Sequence, residues 1–173
     1  MTSSLSVTVP GNQSGFGFVY RTLTNIGARK LGRTLTGMEL SDDQFLSAFE
    51  SGSLPAFHHI DHLRMTFLYL QRLGIANAPR MIVEGIRSFA RTKGAVELYN
   101  ETMTRFWILV VAEAAVREGA NSFDDLVARH PELLDKSLAL KHWTPAVLNG
   151  EAAKRHWVEP DAIALPFAAE PTR

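Results

Sequence analysis

The stretch Phe57-His58-His59-Ile60-Asp61-His62-Leu63 gathers three of the chain's six histidines and a carboxylate within two turns of a helix. Imidazole is the commonest biological metal ligand and the side chain that exchanges protons near neutral pH, so this density points to metal binding or acid–base chemistry. Pro55 to Leu73 carries Ala56, Ile60, Leu63, Phe67 and Leu70 on one stripe, the pattern of an amphipathic helix. Winding it at about 100° per residue sets His59 and His62 about 60° apart on the flank of that stripe, both facing inward. His58 falls on the opposite flank beside Asp61 and Arg72, where a solvated or supporting role fits it, although its spacing from His62 also permits chelation.

A second helix, predicted over residues 96–118, is almost wholly apolar through Phe106-Trp107-Ile108-Leu109-Val110-Val111-Ala112, which places it centrally. On it Glu101 lines up with Ile108, Ala112 and Ala115 and therefore points into the core. A buried carboxylate without a counter-charge is expensive, so Glu101 needs a metal, a histidine, or an arginine such as Arg64 or Arg105. With helices 55–73 and 96–118 packed antiparallel, His59, His62 and Glu101 converge as a two-histidine, one-carboxylate site, a donor set suited to catalytic zinc or non-haem iron. Metal-bound imidazoles generally give their second nitrogen to a carboxylate or carbonyl, a part that Asp61 of a neighbouring segment or subunit could take. Tyr99, Asn100, Thr102 and Thr104 surround the carboxylate and could orient a substrate. The alternative stays open at this level: His59 and His62 as core histidines satisfied by backbone carbonyls or by Glu101, and Glu101 as a structural ion-pair partner. Trp107 and Trp143 read as core or interface anchors, and His130, His142 and His156 as structural or exposed.

The pattern Phe57-x-His59-x-Asp61-His62-Leu63, followed by Phe67-Leu68-Tyr69-Leu70 and by Tyr99-Asn100-Glu101-Thr102-Met103-Thr104, resembles a family of small, uncharacterised microbial proteins. Its members pair an aromatic-x-His-x-x-His-Leu helix with a Tyr-His-Glu-Thr-x-Thr helix. The similarity runs from Phe45 to Leu165 and includes Trp157-Val158-Glu159-Pro160-Asp161. It implies a shared helical pocket and no particular reaction. Asn100 stands where the family pattern has histidine, so a ligand or base at that position is missing from this chain.

The elements that must position these groups follow from caps and breakers. Residues 1–15, rich in Ser, Thr, Gly and Asn, read as a flexible arm, and Phe16 to Leu35 carries a loose helical pattern weakened by Gly27 and Gly32. Ser41-Asp42-Asp43-Gln44 is a capping box opening a short helix through Phe49. Asn77 caps a further helix with Pro79 in its first turn, ended by Lys93-Gly94; Ser122 caps another that Pro131 limits; the last covers Gly150 to His156. The proline-containing tail from Trp157 runs extended. No strand alternation, repeat or linker interrupts residues 16–173, so the expectation is an all-α, single-domain irregular bundle of about six or seven helices.

Composition narrows the partners. The 173 residues carry 18 Lys+Arg against 18 Asp+Glu, which removes the main electrostatic reason to expect nucleic acid or an anionic membrane. There is no cysteine, no hydrophobic leader and no membrane-length apolar run, in keeping with a cytoplasmic protein. The chain lacks Gly-x-Gly-x-x-Gly, Gly-x-x-x-x-Gly-Lys-Ser/Thr, Gly-x-Ser-x-Gly and His-Glu-x-x-His, so no nucleotide cofactor is expected, and neither serine hydrolysis nor zincin proteolysis. Arg29, Lys30 and Arg33 cluster without a turn–helix reading motif. The leading expectation is thus a small helical enzyme of lyase, cyclase, isomerase or hydrolase type acting on a small, partly apolar molecule in specialised metabolism. A divalent metal would sit at His59, His62 and Glu101, with Glu101 or His62 handling protons and Tyr99 and Asn100 orienting substrate. A non-catalytic helical binding or scaffold protein is the competing expectation, and a homodimer is compatible with either.

Overall fold

The computed structural model describes residues 40–166, and the described residues form six α-helices and three 3-10 turns with no strand. The expected arm over residues 1–15, the helical pattern from Phe16 to Leu35 and the Arg29, Lys30, Arg33 cluster lie outside them. The all-α, single-domain class read from the sequence is the one observed.

Helix α1 (Asp42–Glu50) begins where its capping box predicts: the Gln44 amide donates to Ser41 Oγ at 3.3 Å while the Ser41 amide donates to Gln44 Oε1 at 2.9 Å. Its apolar residues Phe45, Leu46 and Phe49 are buried against α2 (His59–Thr92), and Arg64 of α2 binds Asp42 at 2.6 Å. A straight 34-residue helix would be about 50 Å long, yet Phe57, just before α2, and Phe89, near its end, have ring centroids 4.9 Å apart. The element is therefore a hairpin of two antiparallel arms, residues 59–73 and 75–92. Gly74 makes the reversal at φ 69°, ψ 168°, a conformation that a residue with a Cβ adopts only under strain. The sequence pattern separates these two helices correctly but puts the break at Asn77. Asn77 lies inside the second arm and donates instead to the Leu73 carbonyl at 3.2 Å, across the turn. Gly74→Ala is expected to lower stability by about 1–2 kcal/mol, read as a shift of the urea midpoint, since open space surrounds the site and only the backbone is strained.

A 3-10 turn at Val96–Leu98 leads into α3 (Glu101–Glu118), so the helix expected from residue 96 begins at 101. Asn100 caps it, accepting from the Met103 amide at 2.8 Å. As its composition requires, α3 is the central element: Phe106, Trp107, Ile108, Val111 and Ala112 are all buried. The direction of packing differs from the antiparallel arrangement expected. His59 at the start of the first arm meets Trp107, and Gln71 near that arm's end reaches the Asn121 carbonyl at 3.5 Å. The first arm thus runs parallel to α3, and the second arm is the antiparallel neighbour. Close approach of that arm to α1 depends on Gly85, where an added Cβ would meet Phe49 Cε1 at 2.9 Å.

The remainder covers α3. Helix α4 (Phe123–Arg129), capped by Ser122, is followed by 3-10 turns at Pro131–Leu134 and Leu138–Lys141 and by the short helices α5 (Pro145–Leu148) and α6 (Glu151–Arg155). From Trp157 the chain forms an irregular strap. Fully buried Trp143 donates from Nε1 to the Val158 carbonyl at 3.0 Å, and Thr144 donates through its amide and hydroxyl to Asp161 at 2.8 and 2.6 Å. No helix among the described residues is long and apolar enough to cross a membrane.

Candidate functional site

The level at which the first arm docks on α3 decides what the expected ligands can reach. Glu101 lies six residues before Trp107, about 9 Å lower along the α3 axis than the level at which His59 docks. Among the described residues no group of three or more His, Asp or Glu side chains is arranged to hold a metal ion. The structure does not bring His59, His62 and Glu101 together: each faces inward or toward a neighbour as the helical pattern requires, but on separate partners.

His59 is buried, 6 % exposed, with its ring edge-on to Trp107 at 4.4 Å. Its Nε2–H donates to the Leu133 carbonyl at 2.8 Å, tying the first arm to the turn at Pro131–Leu134. Because a carbonyl can only accept, this bond fixes the Nε2–H form of the ring. His62 lies against Phe57, ring centroids 4.1 Å apart, at the edge of a cluster that includes Phe49 and Phe89. His58 caps α2: its amide donates to Asp61 Oδ2 at 2.7 Å, so Asp61 serves the helix end rather than a distant imidazole.

Glu101 is the other expected centre, and its burial is as read, 2 % exposed. Arg87 Nη2 donates to one carboxylate oxygen at 2.8 Å, joined there by the Tyr99 hydroxyl, and Arg105 Nε donates to the other at 2.6 Å. The Arg87 guanidinium also lies over the Tyr99 ring, 5.0 Å from its centroid. Burial alone would push the Glu101 carboxyl up, but the bonds from Tyr99 and Arg105 and the charges of both arginines outweigh it and hold the group below the usual carboxylate range. Burial and the bond to Glu101 push the Tyr99 hydroxyl up to about 12, so it stays a proton donor. Asn100, read as a substrate-orienting amide, instead donates to the Leu148 carbonyl at 2.8 Å while capping α3. Thr102 accepts from the Val158 amide at 3.1 Å and donates to the His156 carbonyl at 2.9 Å.

Arg105 was within reach of sequence reasoning, being one turn after Glu101 on the same helix. Arg64 serves Asp42 and the Leu40 carbonyl instead. Arg87, the residue that completes the cluster, carries no local signal: it meets Glu101 only because the second arm folds back beside α3.

These imidazoles make stability fall in acid. Burial lowers the His59 pKa more than the Leu133 bond raises it; for His62, burial first and then the neighbouring His59 and His58 lower it to about 3. A depressed folded-state value means that the unfolded chain binds protons first as pH drops below the ordinary histidine value. Their contribution is thus complete above about pH 6.5 and declines below it, by at most about 1.4 kcal/mol per pH unit for each group, less for His62, which keeps some solvent exposure. Urea midpoints measured from about pH 7 to pH 4 are expected to fall along this course, and His62→Phe to flatten it. A midpoint that is constant over that range would contradict the assignment.

No family model, curated protein or solved structure matches this chain.

Proposed function

We propose that this chain is a non-catalytic helical interaction protein whose histidine and glutamate clusters hold the bundle together rather than turn over a substrate. One observation carries this reading: the Glu101 carboxylate, the group best placed by sequence to do chemistry, is filled by Arg87, Arg105 and Tyr99. Catalytic carboxylates and imidazoles work when an open side faces substrate, and His59 and Asn100 are likewise turned to the backbone carbonyls of Leu133 and Leu148. The groove lined by Asp43, Gln44, Ser47, Ala48, Ser51 and Ser53 is an open surface feature that none of these residues enters. The chain has no cysteine, and this role needs no oxidising compartment, in keeping with a cytoplasmic setting.

The experiment is a stability measurement on His59→Ala and His62→Ala. Residues retained for packing lower the melting temperature when removed, whereas strained functional groups leave it unchanged or raise it. His59→Ala is expected to lose about 2–4 kcal/mol, because the Trp107 contact and the Leu133 carbonyl both lose their partner. If both variants melt at or above the temperature of the parent, the interaction-protein reading fails and an enzyme reading returns.

A further inference from the structure

We propose that the end of the bundle around the turn Val96–Leu98 is a docking surface for an acidic, amphipathic peptide segment of a protein partner. The proposal rests on the interaction-protein reading and gives it a place and a chemistry.

Val96 and Leu98 are 53 % and 59 % exposed, two aliphatic side chains on a 3-10 turn between the second arm of α2 and α3. Cations surround them. Arg87 and Arg91 lie one turn apart on the outward face of the second arm, both exposed, while Arg80, two turns earlier, is paired with Glu84. Lys93 caps the arm, its ammonium 5.3 Å from the centre of the Phe89 ring, and Arg91 enters no ion pair among the described residues. Arg87 stacks on Tyr99, the residue after Leu98, and Arg105 reaches the same carboxylate from α3. Between residues 87 and 105 four arginines and lysines stand against Glu97 and Glu101, and Glu101 is buried beneath its arginines. The chain as a whole is balanced, with 18 Lys+Arg against 18 Asp+Glu. Positive charge is therefore in excess around this turn of an otherwise balanced chain.

The mixture selects the partner. Nucleic acid satisfies the cations but offers nothing aliphatic to Val96 and Leu98. An anionic bilayer requires more inserted apolar surface than two aliphatic side chains provide. A segment alternating carboxylates with leucines meets both needs, its apolar residues covering the turn and its acidic ones facing the arginines.

The probe is a fluorescein-labelled twelve-residue peptide of Leu, Asp and Glu patterned as an acidic amphipathic helix, followed by anisotropy against the full chain. Binding is expected, weakening with added salt and weakened about tenfold or more by Arg91→Glu and by Leu98→Ser, substitutions at exposed positions that leave the fold intact. The same peptide with Asn and Gln for its acids, or Ser for its leucines, is expected to lose binding. Absence of binding, equal binding of single-stranded DNA, or tighter binding to phosphatidylserine vesicles overturns the proposal. Peptide binding that neither variant weakens places the surface elsewhere, overturning this inference while leaving the interaction-protein reading in place. Self-association that Leu98→Ser abolishes, with no peptide binding, makes a second copy of this chain the occupant and also overturns it.

Discussion

Replacing Glu101 by alanine is expected to lower the unfolding free energy by about 2–4 kcal/mol, enough to be decisive for a domain of ordinary stability. The carboxylate accepts from both arginines at the junction of the second arm of α2 with α3, and its loss leaves Arg87 and Arg105 close together without the charge that pairs them. Tyr99 at the same time loses the oxygen to which its hydroxyl donates. Removing one partner of a fully buried pair costs about 3–5 kcal/mol, but Arg87 and Arg105 keep 44 % and 37 % of their side-chain surface and can turn part of their charge to water, so the lower figure applies. Glu101→Gln retains the shape and one acceptor, and is expected to lose about half as much. The check is a denaturant midpoint for both variants together with Arg87→Met; coupling between Arg87 and Glu101 near zero in the double-mutant cycle would remove the cluster from the account of stability.

Trp143→Ala is expected to be costlier still, about 3–5 kcal/mol. Among the described residues Trp143 is the largest fully buried side chain, with Phe106 at 5.5 Å and Trp157 at 5.5 Å, both edge-on. It also closes the strap, since its indole N–H is the donor to the Val158 carbonyl. Truncation opens a cavity among aromatic rings and frees the segment that Thr144, Asp161 and His142 otherwise secure. Amide exchange should report this separately from global unfolding: the Val158 and Ala162 amides, bonded to Thr102 and to the His142 carbonyl, should lose protection first. Trp143→Phe keeps most of the volume and should cost only the lost hydrogen bond and part of the packing, about 1–2 kcal/mol. Uniform exchange across the chain in both variants would show that the strap is held by other means.

Local physics was legible because its range is short. The Ser41–Gln44 capping box, the Ser122 cap and the stop at Lys93-Gly94 each depend on atoms within four residues, and each forms where the spacing requires. The burial of α3 and of Glu101 also follows from composition and period alone. What the same reading assigned wrongly was company. It set His59, His62 and Glu101 at one level, whereas His59 docks beside Trp107, six residues along α3 from Glu101.

Amino-acid order alone established an all-α class, the inward turn of Glu101 and its need for a positive partner, since helical period and the cost of burying charge are local or general constraints. Which partner answers that need was left to the hairpin at Gly74. It folds the second arm back beside α3, carries Arg87 to Glu101 across fourteen residues, and leaves His59 one level higher against Trp107 and the Leu133 carbonyl. Helix direction relative to a neighbour is set by loop geometry and by the fit of whole faces, and no spacing within one helix encodes it.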